Sequence, residues 1–132
     1  MKFVIVDDEE VNLIIASRLL LHVLHPKNVH VYRNADDALC FFKNYQGSEP
    51  VSLFLDLNMP GMSGWDFVKC FDEFDECLKR LVHIYIISSS IDPSDEARAL
   101  ANPNIISFVQ KPLTAAFLTN TFTKTSVTNI TS

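Results

Sequence analysis

Phe3-Val4-Ile5-Val6-Asp7-Asp8-Glu9-Glu10 runs four apolar residues straight into four acids. The apolar run has the length and composition of a strand buried on both faces. Four carboxylates crowded at its exit repel one another, so either water solvates them all or a positive group neutralises them. What the rest of the chain brings to that place decides between the two.

Outward from this stretch, short apolar runs alternate with longer amphipathic ones. A strand over 2–6 leads into a predicted helix over 9–24, with Val11, Ile14, Ile15, Arg18, Leu19 and Val23 at helical spacing. His25-Pro26 closes it, because the residue before a proline is pushed out of helical geometry. A strand over 29–32 and a helix from 34 or 35 to 45 follow, the helix turning Ala38, Leu39 and Phe42 inward. Residues 51–55 form a third strand, 58–64 a loop of turn formers, and 65–74 a third helix. A strongly apolar strand over 81–87 precedes Asp92-Pro93, where a helix opens with proline in its first turn and acids at the positive end of its dipole. A fifth strand over 105–109 and a last helix from Pro112 to about 122 complete the pattern.

Five strands alternating with five helices predict an α/β fold, an open, doubly wound, five-stranded parallel sheet. The flavodoxin-like strand order 2-1-3-4-5 suits it. Residues 1–124 form one domain and 125–132 a polar tail, with no segment resembling an output domain after it.

With 132 residues, 48% of them hydrophobic, the chain can bury a sizeable core. A net charge of -5 without any basic run argues against direct nucleic-acid binding. Cys40, Cys70 and Cys77 lack metal or C-x-x-C spacing and read as reduced, core-filling thiols of a cytosolic protein. No apolar run reaches membrane-spanning length and no signal peptide is evident, so a cytoplasmic location is expected. His22, His25, His30 and His83 have no ligand spacing and read as surface or helix-end residues.

In doubly wound sheets, ligands bind beyond the carboxyl ends of the strands where strand order reverses, here between the first and third strands. Asp7 and Asp8 follow the first strand and Asp56 the third, so three carboxylates converge in one crevice. Oxygen donors without His or Cys suit Mg²⁺, with Mn²⁺ a possible substitute. Ser88 closes the fourth strand and Lys111 the fifth. A hydroxyl and an ammonium beside carboxylates and a hard cation suit a phosphoryl group, one carboxylate serving as nucleophile. Singly, an Asp at a strand end is a cap, Ser88 a turn residue and Lys111 a solvated charge. Glu9 and Glu10 are first-turn helix acids. Scattered caps would occupy both ends of the sheet, whereas these five residues all fall at carboxyl ends.

The set Asp7-Asp8, Asp56-Leu57-Asn58-Met59-Pro60-Gly61-Met62-Ser63-Gly64, Ser88 and Lys111-Pro112 resembles the receiver domain of two-component response regulators over nearly the whole chain. The resemblance implies that Asp56 is the phosphoacceptor for a histidine kinase or histidine phosphotransfer protein. It implies that Asp7, Asp8, Asp56 and the Asn58 carbonyl hold Mg²⁺, and that Lys111 pairs with Asp56 or its phosphate. Ser88 and Phe108 would be the switch pair, Asn58 and Ser90 would tune dephosphorylation, and the Lys111-Pro112 bond would be cis. It further implies a protein that is no enzyme toward external substrates, a monomer or weak dimer signalling to an unknown downstream protein. The face carrying Arg98, Phe108 and Ala115 would make that contact.

Three other readings compete, of which a flavin or dinucleotide domain lacks the Gly-rich phosphate loop it would need after the first strand. A phosphorylation-independent pseudo-receiver would keep the fold but lose chemistry positions, and all are present. An aspartyl-phosphate phosphohydrolase would need a second acid two residues after its nucleophile, where this chain has Asn58.

Overall fold

The computed structural model describes residues 1–89 and 92–123. In chain order the elements are β1 (Lys2–Val6), α1 (Glu10–Leu24), β2 (Asn28–Tyr32), α2 (Ala35–Lys43), β3 (Val51–Asp56) and α3 (Gly64–Phe71). They continue with α4 (Glu76–Leu81), β4 (Val82–Ser88), α5 (Pro93–Leu100), β5 (Ile105–Gln110) and α6 (Ala115–Phe122). All five strands pair in parallel in the order β2-β1-β3-β4-β5, as expected for the flavodoxin-like fold.

Strand alternation splits the core into two layers. Phe3, Ile5, Phe54, Tyr85 and Ile87 face one side, where Leu13, Ala16 and Leu20 of α1 and Leu118 of α6 cover them. Val4, Val6, Leu53, Leu55, Ile84 and Ile86 face the other, under Ala38 and Phe42 of α2, Phe67 and Phe71 of α3 and Ala99 of α5. β3 lies centrally and is buried along its whole length. Covered on both faces, it can be uniformly apolar until its last residue, Asp56.

Local chemistry sets the helix ends. Asn34, Ser63, Asp92 and Thr114 each cap a helix by accepting from a backbone N–H of its first turn. Ser63 and Asp66 make a reciprocal capping box that starts α3 one residue before Trp65. At the far end of α1, His25 adopts a left-handed conformation with φ of 50° ahead of Pro26.

Four expectations are corrected. The helices number six among the described residues: α3 ends at Phe71 rather than 74, and α4 is additional. None of the α4 side chains is fully buried, so no apolar period announces it; Leu78 packs half-buried against the core, and the helix carries an acid at its start, bases at its end and a 3.1 Å Lys79–Glu76 pair. On α1, the buried stripe is Leu13, Ala16 and Leu20, while Val11, Ile14 and Ile15 are exposed. The helix is apolar nearly all round, so its spacing admits two solutions, and small Ala16 lets the observed face approach the sheet. Cys40, Cys70 and Cys77 are exposed, not core-filling, because Ala38, Phe42, Phe67 and Phe71 occupy the inward positions of α2 and α3. His22 and His25 lie at the surface as expected, but His30 and His83 are half-buried within β2 and β4. The tail over 125–132 lies outside the described residues.

The β3–α3 connection is the tightest passage in the fold. A Cβ on Gly64 would sit 2.5 Å from the Asp56 carbonyl oxygen and 2.8 Å from Leu57 Cα, both backbone atoms with no freedom to yield. Gly61, at φ of 77°, has open space around it. Gly64→Ala is therefore expected to destabilise the fold by roughly 1–3 kcal/mol in urea denaturation. Gly61→Asn, which tolerates the left-handed backbone, is expected to cost less than about 1 kcal/mol.

Candidate functional site

The reversal of strand order falls between β1 and β3, which pair directly with Val6 beside Leu55. Asp7 and Asp56, one residue further on each strand, therefore sit side by side at the carboxyl edge. Both are buried, at 1% and 3% exposure, and Asp8 is half-buried next to them. One carboxylate oxygen from each of Asp7, Asp8 and Asp56 lies within 4.8 Å of the others. Three residues separated by up to 49 positions are thus brought into one oxygen-rich cluster.

Backbone donors orient two of the acids. The Glu9 N–H donates to Asp7 Oδ1 at 3.0 Å, and the Asn58 N–H donates to Asp56 Oδ1 at 3.3 Å. Lys111, just past β5, reaches inward with Nζ 2.7 Å from Asp7 Oδ2 and 3.4 Å from Asp56 Oδ1. Its closest carboxylate is Asp7, although the resemblance pairs it with Asp56. The Lys111 N–H donates to the Ser88 carbonyl at 2.7 Å, which ties the β5 exit to the β4 exit. The Lys111–Pro112 peptide is cis.

Ser88 is buried at the end of β4, one residue beyond Ile87, the neighbour of Asp56 in the sheet. Phe108 is half-buried, beside Ile86 on β4, and packs on the core layer under α2, α3 and α5. It faces the opposite side of the sheet from α1. Asn58 is exposed on the loop after β3, and Ser90 lies outside the described residues.

The electrostatics follow from burial. Loss of water around the Asp56 carboxylate pushes its pKa up to about 6; Lys111 opposes the shift, Asp7 adds to it and the Asn58 N–H opposes it. For Lys111, burial disfavours the ammonium. Its hydrogen bond to Asp7 and the charges of Asp56 and Asp7 outweigh that and raise its pKa above the ordinary value. One ammonium cannot balance three carboxylates, so the cluster retains excess negative charge. All-oxygen donors carrying that excess fit a hard divalent cation such as Mg²⁺.

Sequence reasoning named Ile15 only for its helical spacing and did not single out Asn12 at all. Both line a cavity of about 320 Å³ whose polar end is Asp7 and Lys111 and whose walls include Ile5, Pro112 and Leu113. Their signal was position alone: α1 follows β1 directly, so its first turns share the mouth of the crevice. Arg98 also has a role that spacing did not reveal. Its guanidinium lies 4.2 Å over the Trp65 ring and links α5 to the start of α3.

The family model described as "Response regulator receiver domain" matches residues 3–123. The structure is similar to a response regulator receiver protein from Dyadobacter fermentans, 30% identical, covering 92% of this chain and 98% of that one, with a TM-score of 0.81. It is also similar to a two-component response regulator from Cytophaga hutchinsonii, 26% identical, covering 93% of this chain and 94% of that one, with a TM-score of 0.84. Among curated proteins, the sensory/regulatory protein RpfC of Xanthomonas campestris pv. campestris is 27% identical over 127 residues. The match takes in 96% of this chain but spans only 17% of that relative's length.

Because the Asp56 pKa is higher folded than its ordinary value of 3.8, the metal-free protein binds a proton on folding. The associated stability is fully present below about pH 4 and is lost as the pH rises through about 6. Metal-free protein should therefore melt higher at pH 5 than at pH 8. Asp56→Asn should flatten that dependence and raise stability at pH 8 by about 2–3 kcal/mol, measured by urea denaturation in EDTA.

Proposed function

The chain belongs to the response regulator receiver family of two-component signalling, and from that premise we propose that Asp56 accepts a phosphoryl group from a phosphohistidine donor. The observation that carries this reading is the convergence of Asp7, Asp8 and Asp56 within 4.8 Å, with Lys111 Nζ 3.4 Å from Asp56. The donor is a histidine kinase or a histidine phosphotransfer protein, and the phosphorylated chain acts on a downstream protein by contact.

An ionised oxygen of Asp56 attacks phosphorus, the P–N bond to the donor imidazole breaks, and an acyl phosphate remains on Asp56. Ionisation needs the charge around Asp56 to be offset, which is the task of Lys111 from within the protein. Asp7, Asp8, Asp56 and the Asn58 carbonyl would hold Mg²⁺, or Mn²⁺ in its place. When bound it supplies positive charge against the carboxylates and the incoming phosphoryl oxygens. Lys111 would transfer its second contact from Asp56 to a phosphoryl oxygen while remaining on Asp7. The Ser88 hydroxyl would donate to another phosphoryl oxygen, drawing the end of β4 inward, and Phe108 would follow from its half-buried position on the adjacent strand.

That movement would reshape the α5–β5–α6 face, where Arg98, Phe108 and Ala115 sit and where Leu100 and Ile106 are already exposed. Asn58, in place of a second acid, leaves no group positioned to protonate a leaving alcohol, which supports a signalling receiver over a hydrolase. Asn58 and Ser90 tune the lifetime of the acyl phosphate. Among the described residues no helix is long and apolar enough to cross a membrane, and a cytoplasmic location accords with the proposed donors.

Incubation with Mg²⁺ and acetyl phosphate, followed by intact-mass spectrometry, should show one added phosphoryl group that is absent from Asp56→Asn and from EDTA-treated protein. Lys111→Ala should slow its appearance on the order of 100-fold, the usual scale for removing one group that stabilises transition-state charge. Failure of folded wild-type protein to label from either acetyl phosphate or a phosphorylated histidine phosphotransfer domain would refute the proposal.

A further inference from the structure

Helix α5 is lightly held. Ala99 is its one buried side chain, and Leu100 is 59% exposed. Its seam with α3 is built instead of polar contacts that water reaches. At the amino edge of the sheet, Asp72, just past α3, accepts from Asn104 Nδ2 at 3.2 Å and from Asn102 Nδ2 at 3.4 Å. The Asn104 carbonyl accepts from the Ile84 N–H at 3.1 Å, which fixes the same loop to β4. Nearer the carboxyl edge, the Arg98 guanidinium lies 4.2 Å over the Trp65 ring at the start of α3. The Asp66 carboxyl is held below its ordinary range first by hydrogen bonds from Ser63 and then by the charges of Lys69 and Arg98, so the Arg98 charge stands beside the capping box as well.

The two ties differ in kind. The Asp72–Asn102–Asn104 set reaches the backbone of the sheet and anchors the far end of α5. The Arg98 tie is a single side chain stacked on a half-buried ring. The near end of α5 is on a short leash, since β4 ends at Ser88 and α5 begins at Pro93, with four residues between them. A helix fixed at one end and leashed to a switch residue at the other can turn as a lever. The Arg98–Trp65 contact resists that turn. Trp65 also packs on the same core layer as Phe108, so a movement of Phe108 changes its surroundings.

A contact present in one of two states adds its strength to the difference between them. A guanidinium over an indole within reach of water favours the state that keeps it by roughly two- to five-fold. That is too little to lock α5 and enough to set a resting population. The pairing is also chemically selective, because indole is the best ring for a cation and the planar guanidinium stacks where an ammonium does not.

We propose that the Arg98–Trp65 contact is a latch, holding α5 against α3 in the unphosphorylated protein and opening when Asp56 is loaded, with α5 pivoting on the Asp72–Asn102–Asn104 anchor. The latch rests on the reading of Asp56 as the phosphoacceptor. Ser88, drawn toward the phosphoryl group, pulls the leash, and the start of α5 follows it. Coupling of this kind is reciprocal: a contact that must break on loading lowers the affinity of the site for its load by the same factor. Arg98 and Trp65 thereby set how readily the site responds, although neither belongs to the acidic cluster.

Trp65 is the only tryptophan of the chain, so quenching of its fluorescence by acrylamide reads the latch directly. Arg98→Ala removes the guanidinium and puts the best helix former in its place, and an unchanged circular dichroism spectrum verifies the fold. Quenching in metal-free protein should be greater in Arg98→Ala than in wild type, where the guanidinium covers the ring. Mg²⁺ with beryllofluoride, which mimics a phosphoryl group on a carboxylate, should raise wild-type quenching toward the Arg98→Ala level and leave that variant little changed. By calorimetry, Arg98→Ala should bind beryllofluoride about two- to five-fold more tightly than wild type, with Arg98→Lys between the two. Trp65→Phe should tighten binding as well, and the double variant should bind no more tightly than Arg98→Ala, because both changes remove one contact. Equal quenching and equal affinity in wild type and Arg98→Ala would overturn the latch and leave the reading of Asp56 standing. Additive effects in the double variant would overturn it too. Folded wild-type protein that binds no beryllofluoride would refute the reading of Asp56 and the latch with it.

Discussion

The contact on which the rest of the site depends is the 2.7 Å pair between Lys111 Nζ and Asp7 Oδ2. It joins the exits of β1 and β5, strands that are not neighbours, across the ends of β3 and β4. It also supplies the internal cation beside three converging carboxylates. Two buried acids side by side resist joint ionisation in a poorly solvated place. Lys111 lies 2.7 Å from Asp7 and stands close enough to Asp56 to oppose the effect of its desolvation, yet the Asp56 pKa still reaches about 6. The site is therefore charge-frustrated without a further cation, a state suited to capturing one and then a phosphoryl group.

The sheet makes that frustration tolerable. β3 is buried from Val51 to Asp56 and flanked by β1 and β4, so Asp56 is fixed by backbone pairing on both sides. Gly64 lets α3 return against the Asp56 carbonyl at a distance no side chain would allow. Its N–H donates to the Leu57 carbonyl at 2.9 Å, which fastens the loop directly beneath the acid. β3 ends at Asp56, and the loop that follows alternates buried Leu57 and Met59 with exposed Asn58.

On the two faces of the sheet the helices divide their tasks. α1 and α6 cover one side, and α1 with the β5–α6 connection borders the cavity at Asp7 and Lys111; α2, α3 and α5 cover the other, where Phe108 packs. In the proposed mechanism, a change at the carboxyl edge would reach the α5–β5 side through Ser88 and Phe108, on the face of the sheet away from α1. The cation–π contact of Arg98 with Trp65 ties α5 to the start of α3 and is part of what any rearrangement of that side must work against.

The sequence by itself determined the strand count and the acids at the strand ends, because these rest on short-range signals; the strand order and the crevice followed from the rules of doubly wound sheets. Apolar runs of strand length alternate with helical periods, and charged residues stand at the ends of the runs. Asp7, Asp8, Asp56, Ser88 and Lys111 were legible because each terminates a strand, and one rule of doubly wound sheets gathers them. Only the tertiary structure decided which face of α1 meets the sheet, since a helix apolar all round leaves its own periodicity ambiguous. It likewise decided that the three cysteines lie outside, because occupancy of the core depends on which neighbours fill it first. The existence of α4, which has no fully buried side chain, and the preference of Lys111 for Asp7 over Asp56 were decided there as well. Those are questions of a few ångströms between distant segments, and no local pattern of residues encodes them.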